Sequence, residues 1–332
     1  MTPNAATSIT LDVQLDEHEW QRHLAAETRR GLVATPPWTP PVWFYDKFGS
    51  QLFDEITRLP EYYPTNAERS ILQSHADTIA ALAQAHTLVE LGSGTSDKTR
   101  LLIEAMLREG SLELFVPFDV SQDILKQAAG GIASGYGLDV HAIVGDFTSH
   151  LSAIPNGNSK VVAFLGSTIG NFDATQRMDL LRSIADTLSP SDSFLLGTDL
   201  IKDVGRLVRA YDDSLGVTAQ FNRNALNVMN RQLGSDFHVA SYRHEAVWNA
   251  DESRIEMHLV ASGDQLVTFR ELRGLQLRLG DGEWLRTEIS TKFSIEQVTR
   301  ELAALGLVVK GQWFDPNSDF MVTLARPVVT DY

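Results

Sequence analysis

Five short apolar segments alternate with helix-like segments between residues 87 and 197, and this rhythm limits the possible folds more than any other feature. The segment at 87–91 ends at Gly92, and a helix is predicted to follow it from about Asp97 to Arg108. The other segments lie at 114–118, 140–144, 161–165 and 193–197. Strands and helices at this spacing are typical of a parallel sheet covered by helices on both faces. The sequence therefore predicts an α/β fold.

The rhythm breaks after Asp199. Residues 201–233 are helix-like and residues 237–289 contain several strand-like stretches, whereas a helix and two apolar strands after Ser294 indicate a return to the first sheet. We therefore predict two domains built from discontinuous segments. They are an α/β domain (66–200 and 292–327) and an α+β substrate-binding domain (15–65 and 201–291), preceded by a flexible stretch (1–14).

Charge and cysteine content narrow the classes of function. The 332 residues include 28 Lys and Arg against 43 Asp and Glu, a formal net charge of −15, and no cysteine. An acidic chain is unsuited to nucleic acid or to an anionic membrane, and its apolar runs are too short to span a bilayer. A chain without cysteine has no disulfides and no thiolate metal sites, which fits the cytosol. We expect a cytoplasmic monomer without nucleic-acid or membrane partners.

The sharpest local motif is the glycine loop, defined as residues 92–99, which joins a predicted strand to a predicted helix. A dinucleotide fingerprint would need glycine at Asp97. A phosphate loop would also need glycine there, although Gly92, Lys98 and Thr99 match its other positions. A carboxylate in a phosphate cradle would repel its ligand. S-adenosylmethionine carries a cationic sulfonium and no phosphate, so acidic residues beside its loop are tolerated.

Acidic residues follow three of the predicted strands. Glu90 precedes Gly92, Asp119 ends the second strand, and Asp146 with Phe147 follows the third. A carboxylate at Asp119 can accept hydrogen bonds from both ribose hydroxyls, while Asp146 and Phe147 can meet the amine and ring of adenine. Each residue alone is more often a cap or turn residue. Together, at the carboxyl ends of parallel strands, they predict an S-adenosylmethionine-dependent methyltransferase.

Several long motifs run in unbroken order between residues 30 and 326. They are residues 43–46 (WFYD), 49–50 (GS), 59–65 (LPEYYPT), 90–96 (ELGSGTS), 164–171 (FLGSTIGN), 196–199 (LGTD), 209–213 (RAYDD), 221–224 (FNRN), 255–257 (IEM), 287–290 (TEIS) and 292–293 (KF). In these motifs the sequence resembles the histidine-specific Nα-methyltransferases of ergothioneine biosynthesis.

The resemblance implies a Rossmann-like class I methyltransferase domain and a separate amino-acid-binding domain. It also implies trimethylation of histidine to hercynine, with S-adenosylmethionine as cosubstrate and no metal. The implied cofactor residues are Gly92, Lys98, Asp119, Asp146 and Phe147. The implied substrate residues are Tyr62 near the amine, Asn171 and Tyr211 for the carboxylate, Glu288 and Ser290 for the imidazole, and Tyr45, Phe53, Gly166, Thr168 and Met257 lining the pocket.

The spacing of the implied imidazole pair agrees with its role. Glu288 and Ser290 are two residues apart, so on a strand they share one face, and a carboxylate with a hydroxyl can hold both nitrogens of an imidazole. Leu285, Ile289 and Phe293 are predicted on the opposite face. Without the resemblance, this segment is more typical of an ordinary half-buried strand.

Three other interpretations remain open from the sequence. The first keeps the fold and changes the substrate to another amino acid, such as a tryptophan derivative. The second is a nucleotide-binding switch that uses the glycine loop and magnesium. The third is an amino-acid-binding module without catalysis. Tyr62 is the residue that we expect to act in catalysis, by orienting the substrate amine.

Overall fold

The computed structural model describes residues 7–328. Within them the chain divides into two compact units. The first unit contains the chain up to Asp16, then Asn66–Leu200, and the chain from Phe293 onwards. The second unit contains Glu17–Thr65 and Ile201–Lys292.

The strands and helices of the described residues are numbered here in chain order. The strands are β1 (Ile9–Val13), β2 (Thr87–Leu91), β3 (Leu114–Asp119), β4 (Asp139–Val144), β5 (Lys160–Phe164), β6 (Ser193–Asp199), β7 (Tyr242–Asn249), β8 (Arg254–Ala261), β9 (Gln265–Phe269), β10 (Leu275–Leu279), β11 (Trp284–Thr291), β12 (Leu307–Phe314) and β13 (Phe320–Pro327). The helices are α1 (Glu17–Leu32), α2 (Lys47–Ile56), α3 (Pro64–Ala83), α4 (Arg100–Glu109), α5 (Gln122–Tyr136), α6 (Ala174–Asp186), α7 (Val204–Tyr211), α8 (Val217–Gln232) and α9 (Ile295–Ala303).

The first unit is built on an eight-stranded sheet with the order β1-β4-β3-β2-β5-β6-β13-β12. The strands from β1 to β6 are parallel; β13 pairs antiparallel with β6, and β12 pairs antiparallel with β13, so that β12 runs in the direction of the first six strands. The inner strands are buried on both faces, as in β5, where all five residues are buried. The predicted Rossmann-like class I methyltransferase sheet is confirmed by this order.

The strand order reverses beside β2. The connections lead from β2 to β3 and β4 on one side, and to β5 and β6 on the other. Because such crossovers are right-handed, the helices after the two halves cover opposite faces of the sheet. Open α/β sheets bind ligands outside the carboxyl ends of the strands at this reversal. The glycine loop follows β2 and Gly166 follows β5, so both lie at the predicted binding edge of this unit.

The prediction that residues 1–14 are flexible is wrong for Ile9–Val13. These residues form β1, which pairs in parallel with β4 from Ile9 opposite Val140 to Val13 opposite Val144. Ile9 and Val13 are about half exposed, so the strand is an edge with little buried surface. Its hydrogen-bond partner lies far along the chain, and a local pattern therefore does not reveal it. Residues 1–6 lie outside the described part of the chain.

The second unit is α+β. Its strands form an antiparallel sheet with the order β11-β8-β7 and a hairpin of β9 with β10. Helices α2 and α8 pack on each other, and α7 and α8 pack on β7. Among residues 7–328, no helix is both long enough and apolar enough to cross a membrane.

The predicted faces of β11 need one correction. Leu285 pairs with Leu259 of β8, and Glu288 pairs with Met257, so Leu285 and Glu288 share one face of the sheet. The sequence predicted them on opposite faces. The register shifts between Arg286 and Glu288, and this bulge reverses the alternation along the strand.

Candidate active site

Asp119 binds the glycine loop in the first unit. Gly92 has φ +67°, a left-handed conformation that favours glycine. One carboxylate oxygen of Asp119 accepts a hydrogen bond from the Gly94 N–H at 3.0 Å, and the other accepts one from the Ser121 N–H at 3.0 Å. Burial raises the pKa of Asp119. Since a carboxylate has about four acceptor positions, both oxygens keep capacity for hydroxyl groups of a ligand.

Phe147 lies beside the glycine loop. A Cβ atom built on Gly92 would be 3.7 Å from Cε1 of Phe147. The Phe147 ring packs edge-on against Phe164, with 5.3 Å between ring centres. Asp146 accepts hydrogen bonds from the backbone and the hydroxyl of Thr148, each at 2.8 Å, so its carboxylate caps a turn. The structure thus brings Phe147 to Gly92 and fixes Asp146 next to it.

Glu90 is a buried carboxylate at the end of β2. It is 6% exposed, and one of its oxygens accepts a hydrogen bond from the hydroxyl of Thr99. Burial raises the pKa of Glu90 from 4.5 to about 7 despite this hydrogen bond. Asp97 stands where a phosphate loop has glycine, and its carboxylate accepts from the Thr95 hydroxyl at 2.9 Å. The carboxylates of Asp97 and Asp119 at this loop disfavour a phosphate ligand and are compatible with a cationic one.

We predict that Glu90→Gln raises the unfolding temperature at pH 8 and leaves it nearly unchanged at pH 5. Between pH 4.5 and 7 the folded chain holds a proton on Glu90 that the unfolded chain has lost. Stability therefore falls as the pH rises through this interval. Each pH unit corresponds to about 1.4 kcal/mol, so the ionised form costs about 3 kcal/mol at pH 8.

Thermal unfolding of both chains at the two pH values checks this prediction. Asp97→Asn, which removes an exposed carboxylate from the same loop, is the control. If the difference in unfolding temperature between the wild type and Glu90→Gln were the same at pH 5 and pH 8, the raised pKa that we attribute to the burial of Glu90 would be contradicted.

Lys98 forms an ion pair with a carboxylate that the sequence analysis missed. Its ammonium binds Glu68, which is 0% exposed, and the other oxygen of Glu68 accepts from the Gly166 N–H at 2.7 Å. A Cβ atom at Gly197 would lie 2.2 Å from this oxygen, which explains the glycine in β6. Glu68 thus connects the glycine loop to the turn after β5. Glu68 lies one helical turn before Ile71, and this spacing was the sequence signal that could have placed it on the buried face of α3.

Thr168 and Asn171 lie on a short 3₁₀ helix directly after Gly166. The hydroxyl of Thr168 donates to the Leu165 carbonyl at 3.1 Å, and Asn171 ends the helix in a half-buried position. Both residues belong to the first unit, at the edge where β5 ends.

An aromatic cluster of five rings forms part of the second unit. Tyr45 packs edge-on against Phe53 at 5.8 Å between ring centres, Phe53 against Tyr62 at 6.2 Å, and Tyr62 against Tyr211 at 6.1 Å. Phe221 of α8, which the sequence analysis did not select, packs against Tyr45 at 5.6 Å and against Phe53 at 5.9 Å. Three predicted pocket residues are thereby brought together with Tyr211.

Tyr211, Ser290 and Lys292 form a hydrogen-bonded group that we call the hydroxyl triangle. It connects Tyr211, which the resemblance implies for the substrate carboxylate, with Ser290, which it implies for the imidazole. The Tyr211 hydroxyl lies 2.8 Å from that of Ser290, and Nζ of Lys292 lies 2.8 Å from each. The Lys292 side chain is 0% exposed and packs over the Tyr211 ring at 4.6 Å. Lys292 was not selected from the sequence, although it continues the alternation of Glu288 and Ser290.

A second network fixes the backbone of Tyr211. Nε2 of His244 donates to the Tyr211 carbonyl at 2.8 Å, and Nδ1 of His244 accepts from the Asn222 amide at 2.8 Å. The Thr287 hydroxyl donates to the Asn222 oxygen at 2.6 Å. Burial lowers the pKa of His244, and these two bonds require the neutral ring. Tyr211 and the bulge next to Glu288 are therefore connected through His244.

Met257, on β8, is the remaining residue of the second unit that was predicted to line the pocket. It is 1% exposed and lies opposite Glu288 in the register of β8 with β11, while Ile255 lies opposite Ser290. Glu288 is half-buried. Among the described residues, no three His, Asp or Glu side chains are grouped so that they could hold a metal ion.

Comparisons with known proteins agree with this geometry. The model of a family described as "Histidine-specific methyltransferase, SAM-dependent" matches residues 24–327. The chain is 52% identical to "Histidine N-alpha-methyltransferase" of Mycolicibacterium smegmatis over 91% of this chain and 94% of that protein. It is 51% identical to the Mycobacterium tuberculosis protein of the same name, over 91% and 95% of the two chains.

A more distant relative has a much longer chain. "Ergothioneine biosynthesis protein 1" of Neurospora crassa is 30% identical over 88% of this chain and 33% of its own length. The family match covers most of the described chain and both units. The protein therefore belongs to the family of histidine-specific, S-adenosylmethionine-dependent methyltransferases.

Proposed function

We propose that this protein transfers three methyl groups from S-adenosylmethionine to the α-amino group of L-histidine and so forms hercynine, an early step of ergothioneine biosynthesis. The observation that carries this proposal is the identity of 52% to a histidine N-alpha-methyltransferase over almost the whole chain. The geometry supports it, because the first unit has a loop compatible with a cationic cofactor, and Glu288 and Ser290 of β11 in the second unit offer a carboxylate and a hydroxyl.

The first unit binds the cofactor in this proposal. Asp119 accepts from the ribose hydroxyls, since each of its oxygens accepts one backbone N–H, from Gly94 or from Ser121, and has further acceptor capacity. Asp146 and Phe147 meet the adenine amine and ring. Gly92 allows the close approach of the backbone, and Lys98 fixes the loop through its ion pair with Glu68.

The second unit binds the histidine side chain. The carboxylate of Glu288 accepts the imidazole N–H, and the Ser290 hydroxyl donates to the other ring nitrogen. Tyr211 donates to the substrate carboxylate, and we assign Asn171 of the first unit the same kind of donor. Met257, Tyr45 and Phe53 are the residues of the second unit that we assign to the lining of the substrate pocket; the same role for Gly166 and Thr168 stays a prediction from the family resemblance.

In this reaction the protein contributes mainly by positioning the substrate amine and the cofactor. S-adenosylmethionine supplies a methyl group on a sulfonium, and the acceptor is a neutral amine. Because a free α-amino group has a pKa of about 7.7–8.0, a substantial fraction is neutral near physiological pH without a strong base. Tyr62 orients this amine, and orientation of this kind lowers the barrier substantially.

The aromatic cluster suits the later steps. Each methylation moves the amine closer to a quaternary ammonium, which has no N–H left to donate. Aromatic faces attract such cations by about 0.5–2 kcal/mol. Tyr45, Phe53 and Tyr62 are the rings that we assign to this contact.

Incubation of the purified protein with S-adenosylmethionine and L-histidine tests the proposal. We expect mass spectrometry to show trimethylhistidine, with three molecules of S-adenosylhomocysteine formed for each. Unchanged histidine, while a tryptophan derivative or another amino acid is methylated, would overturn the substrate assignment. Binding of histidine without turnover would instead indicate a binding module.

The location and assembly of the protein are also proposals. The absence of cysteine supports a cytoplasmic site of action. We propose that the enzyme acts there as a monomer, and light scattering of the purified chain measures this directly.

A further inference from the structure

Thr287 is the residue that the bulge adds to β11. Arg286 lies opposite His258 of β8 and Glu288 lies opposite Met257, so Thr287 is the extra residue between two consecutive pairs of the ladder. This extra residue is what places Glu288 on the same face of the sheet as Met257. Because side chains alternate along a strand with a period of two, a slip of the bulge by one residue would turn Glu288 to the other face.

The side chain of Thr287 is held inside the second unit. It is 0% exposed, and its hydroxyl donates to Oδ1 of Asn222 at 2.6 Å and lies 3.1 Å from the carbonyl oxygen of Met257. A hydroxyl has one proton and both of these oxygens are acceptors, so the shorter bond goes to Asn222. The Met257 carbonyl belongs to the residue that pairs with Glu288. The Thr287 hydroxyl therefore binds the bulge to its surroundings at the point where the register changes.

Asn222 of α8 connects Thr287 to two more strands. It is 0% exposed, and its amide nitrogen donates to Nδ1 of His244 in β7 at 2.8 Å and to the His258 carbonyl in β8 at 3.2 Å. A carbonyl oxygen only accepts hydrogen bonds, so the amide nitrogen must face it and the amide oxygen must face Thr287. Both N–H donors of the amide are then used. Asn222 therefore joins β7, β8 and β11 beside the bulge.

These hydrogen bonds form one directional chain. The Thr287 hydroxyl donates to Asn222, which donates to His244. Nε2 of His244 in turn donates to the Tyr211 carbonyl at 2.8 Å. Hydrogen bonds linked in this way polarise and strengthen one another. One end of the chain is the residue directly before Glu288, so the chain fixes the backbone from which that carboxylate projects.

We propose that Thr287 and Asn222 are positioning residues that determine specificity for histidine: they hold the bulge of β11 in the register that turns Glu288 toward the imidazole. This inference rests on the proposed function, in which Glu288 accepts the imidazole N–H. Neither Thr287 nor Asn222 has an assigned contact with substrate or cofactor, so both act through Glu288. A carboxylate that is held in place before the substrate arrives binds it more tightly, because binding does not have to order the carboxylate.

Thr287→Val removes the hydroxyl and keeps the shape of the side chain. Steady-state kinetics of the full chain with S-adenosylmethionine and L-histidine measure the effect. We expect KM for L-histidine to rise about 10-fold and kcat to change by less than about threefold, because the imidazole is bound equally in the ground state and the transition state. Thr287→Ser, which keeps the hydroxyl, is expected to have a KM within about threefold of the wild type. An unchanged KM in Thr287→Val, with or without a lower kcat, would overturn the inference.

A double-mutant cycle separates positioning from a general structural role. Glu288→Gln removes the charge that Thr287 is proposed to position. Adding Thr287→Val to that variant is therefore expected to raise KM by less than about threefold more. A further rise of about 10-fold would mean that Thr287 does not act through Glu288, and it would overturn the inference.

Thr291→Val is the matched control. Thr291 is also a buried threonine of β11, and it has no assigned contact with the substrate. We expect the KM of this variant for L-histidine to stay within about twofold of the wild type. A rise equal to that of Thr287→Val would show that loss of any buried hydroxyl from this strand has the same effect, and it would overturn the inference.

Asn222→Ala keeps the inference testable if Thr287→Val does not fold. It removes the acceptor of the Thr287 hydroxyl and both N–H donors, so KM must rise in this variant too, and a wild-type KM would overturn the inference. The wild-type reaction is assayed in parallel: if the wild type does not methylate histidine, the proposed function fails. If it does and the variants keep the wild-type KM, only the positioning role of Thr287 and Asn222 fails.

Discussion

Replacing Glu288 by Met and Ser290 by Ala in one chain is expected to weaken L-histidine binding by about 100-fold or more. The carboxylate and the hydroxyl are the donor and acceptor that we assign to the two imidazole nitrogens. A hydrogen bond to a charged group contributes about 1.5–3 kcal/mol and a neutral one about 0.5–1.5 kcal/mol, and their sum corresponds to this loss. Affinity for S-adenosylhomocysteine is expected to stay within about twofold, because neither residue is assigned a contact with the cofactor.

Calorimetric titration of both ligands measures the effect. Ser290→Ala alone is the first comparison, because it also removes one acceptor of Lys292. Thr291→Ala, a neighbour on the same strand, is the matched control, and we expect it to bind histidine normally. Equal losses for histidine and S-adenosylhomocysteine in the double variant would contradict the imidazole assignment.

Asp119→Ala is expected to weaken binding of S-adenosylmethionine by at least about 100-fold. The change removes the acceptor of the Gly94 and Ser121 N–H groups, and each donor left without a partner costs about 1–3 kcal/mol. It also removes the carboxylate that we assign to the ribose. The glycine loop then loses both its support and its ligand contact.

Asp97→Ala provides the control within the same loop. Its side chain is 64% exposed, so its loss is expected to change cofactor affinity by less than about twofold. Titration with S-adenosylhomocysteine compares the two variants. Retained affinity in Asp119→Ala, or equal losses in both, would contradict the assigned cofactor site.

The central strands could be predicted from sequence because their pattern is local. Strand β2 occupies the predicted residues 87–91, and it is a continuous apolar run because neighbours cover both of its faces. The bounds of α4 were less accurate: the helix begins at Arg100 and not at Asp97, since residues 94–99 complete the loop. Helix α5 was not predicted, and its paired Gly130 and Gly131 weaken the helical signal.

The features that were missed depend on partners distant in sequence. Strand β1 is defined by β4, and the bulge before Glu288 is defined by β8. The sequence of β11 alone does not show that it has one residue more than the paired stretch of β8. For this reason Leu285 was predicted on the face opposite to Glu288.

The candidate site was predicted unevenly for a related reason. Exposed glycines and carboxylates after strands carry a recognisable pattern, and the family resemblance supplied the substrate residues. Glu68 and Lys292 are charged residues in buried positions, where sequence patterns predict apolar side chains. Glu68 lies on the buried face of α3, and Lys292 continues the alternation of Glu288 and Ser290 just after β11. A charge in such a position is the signal that could have identified each of them.

The central claim is that histidine is the amino acid that this enzyme methylates. Incubation with methyl-labelled S-adenosylmethionine and an equimolar mixture of the proteinogenic amino acids, with tryptophan derivatives included, tests it most directly. The account predicts that the label enters histidine and accumulates as the trimethylated product. Label in another amino acid, with histidine unmodified in the same mixture, would contradict it.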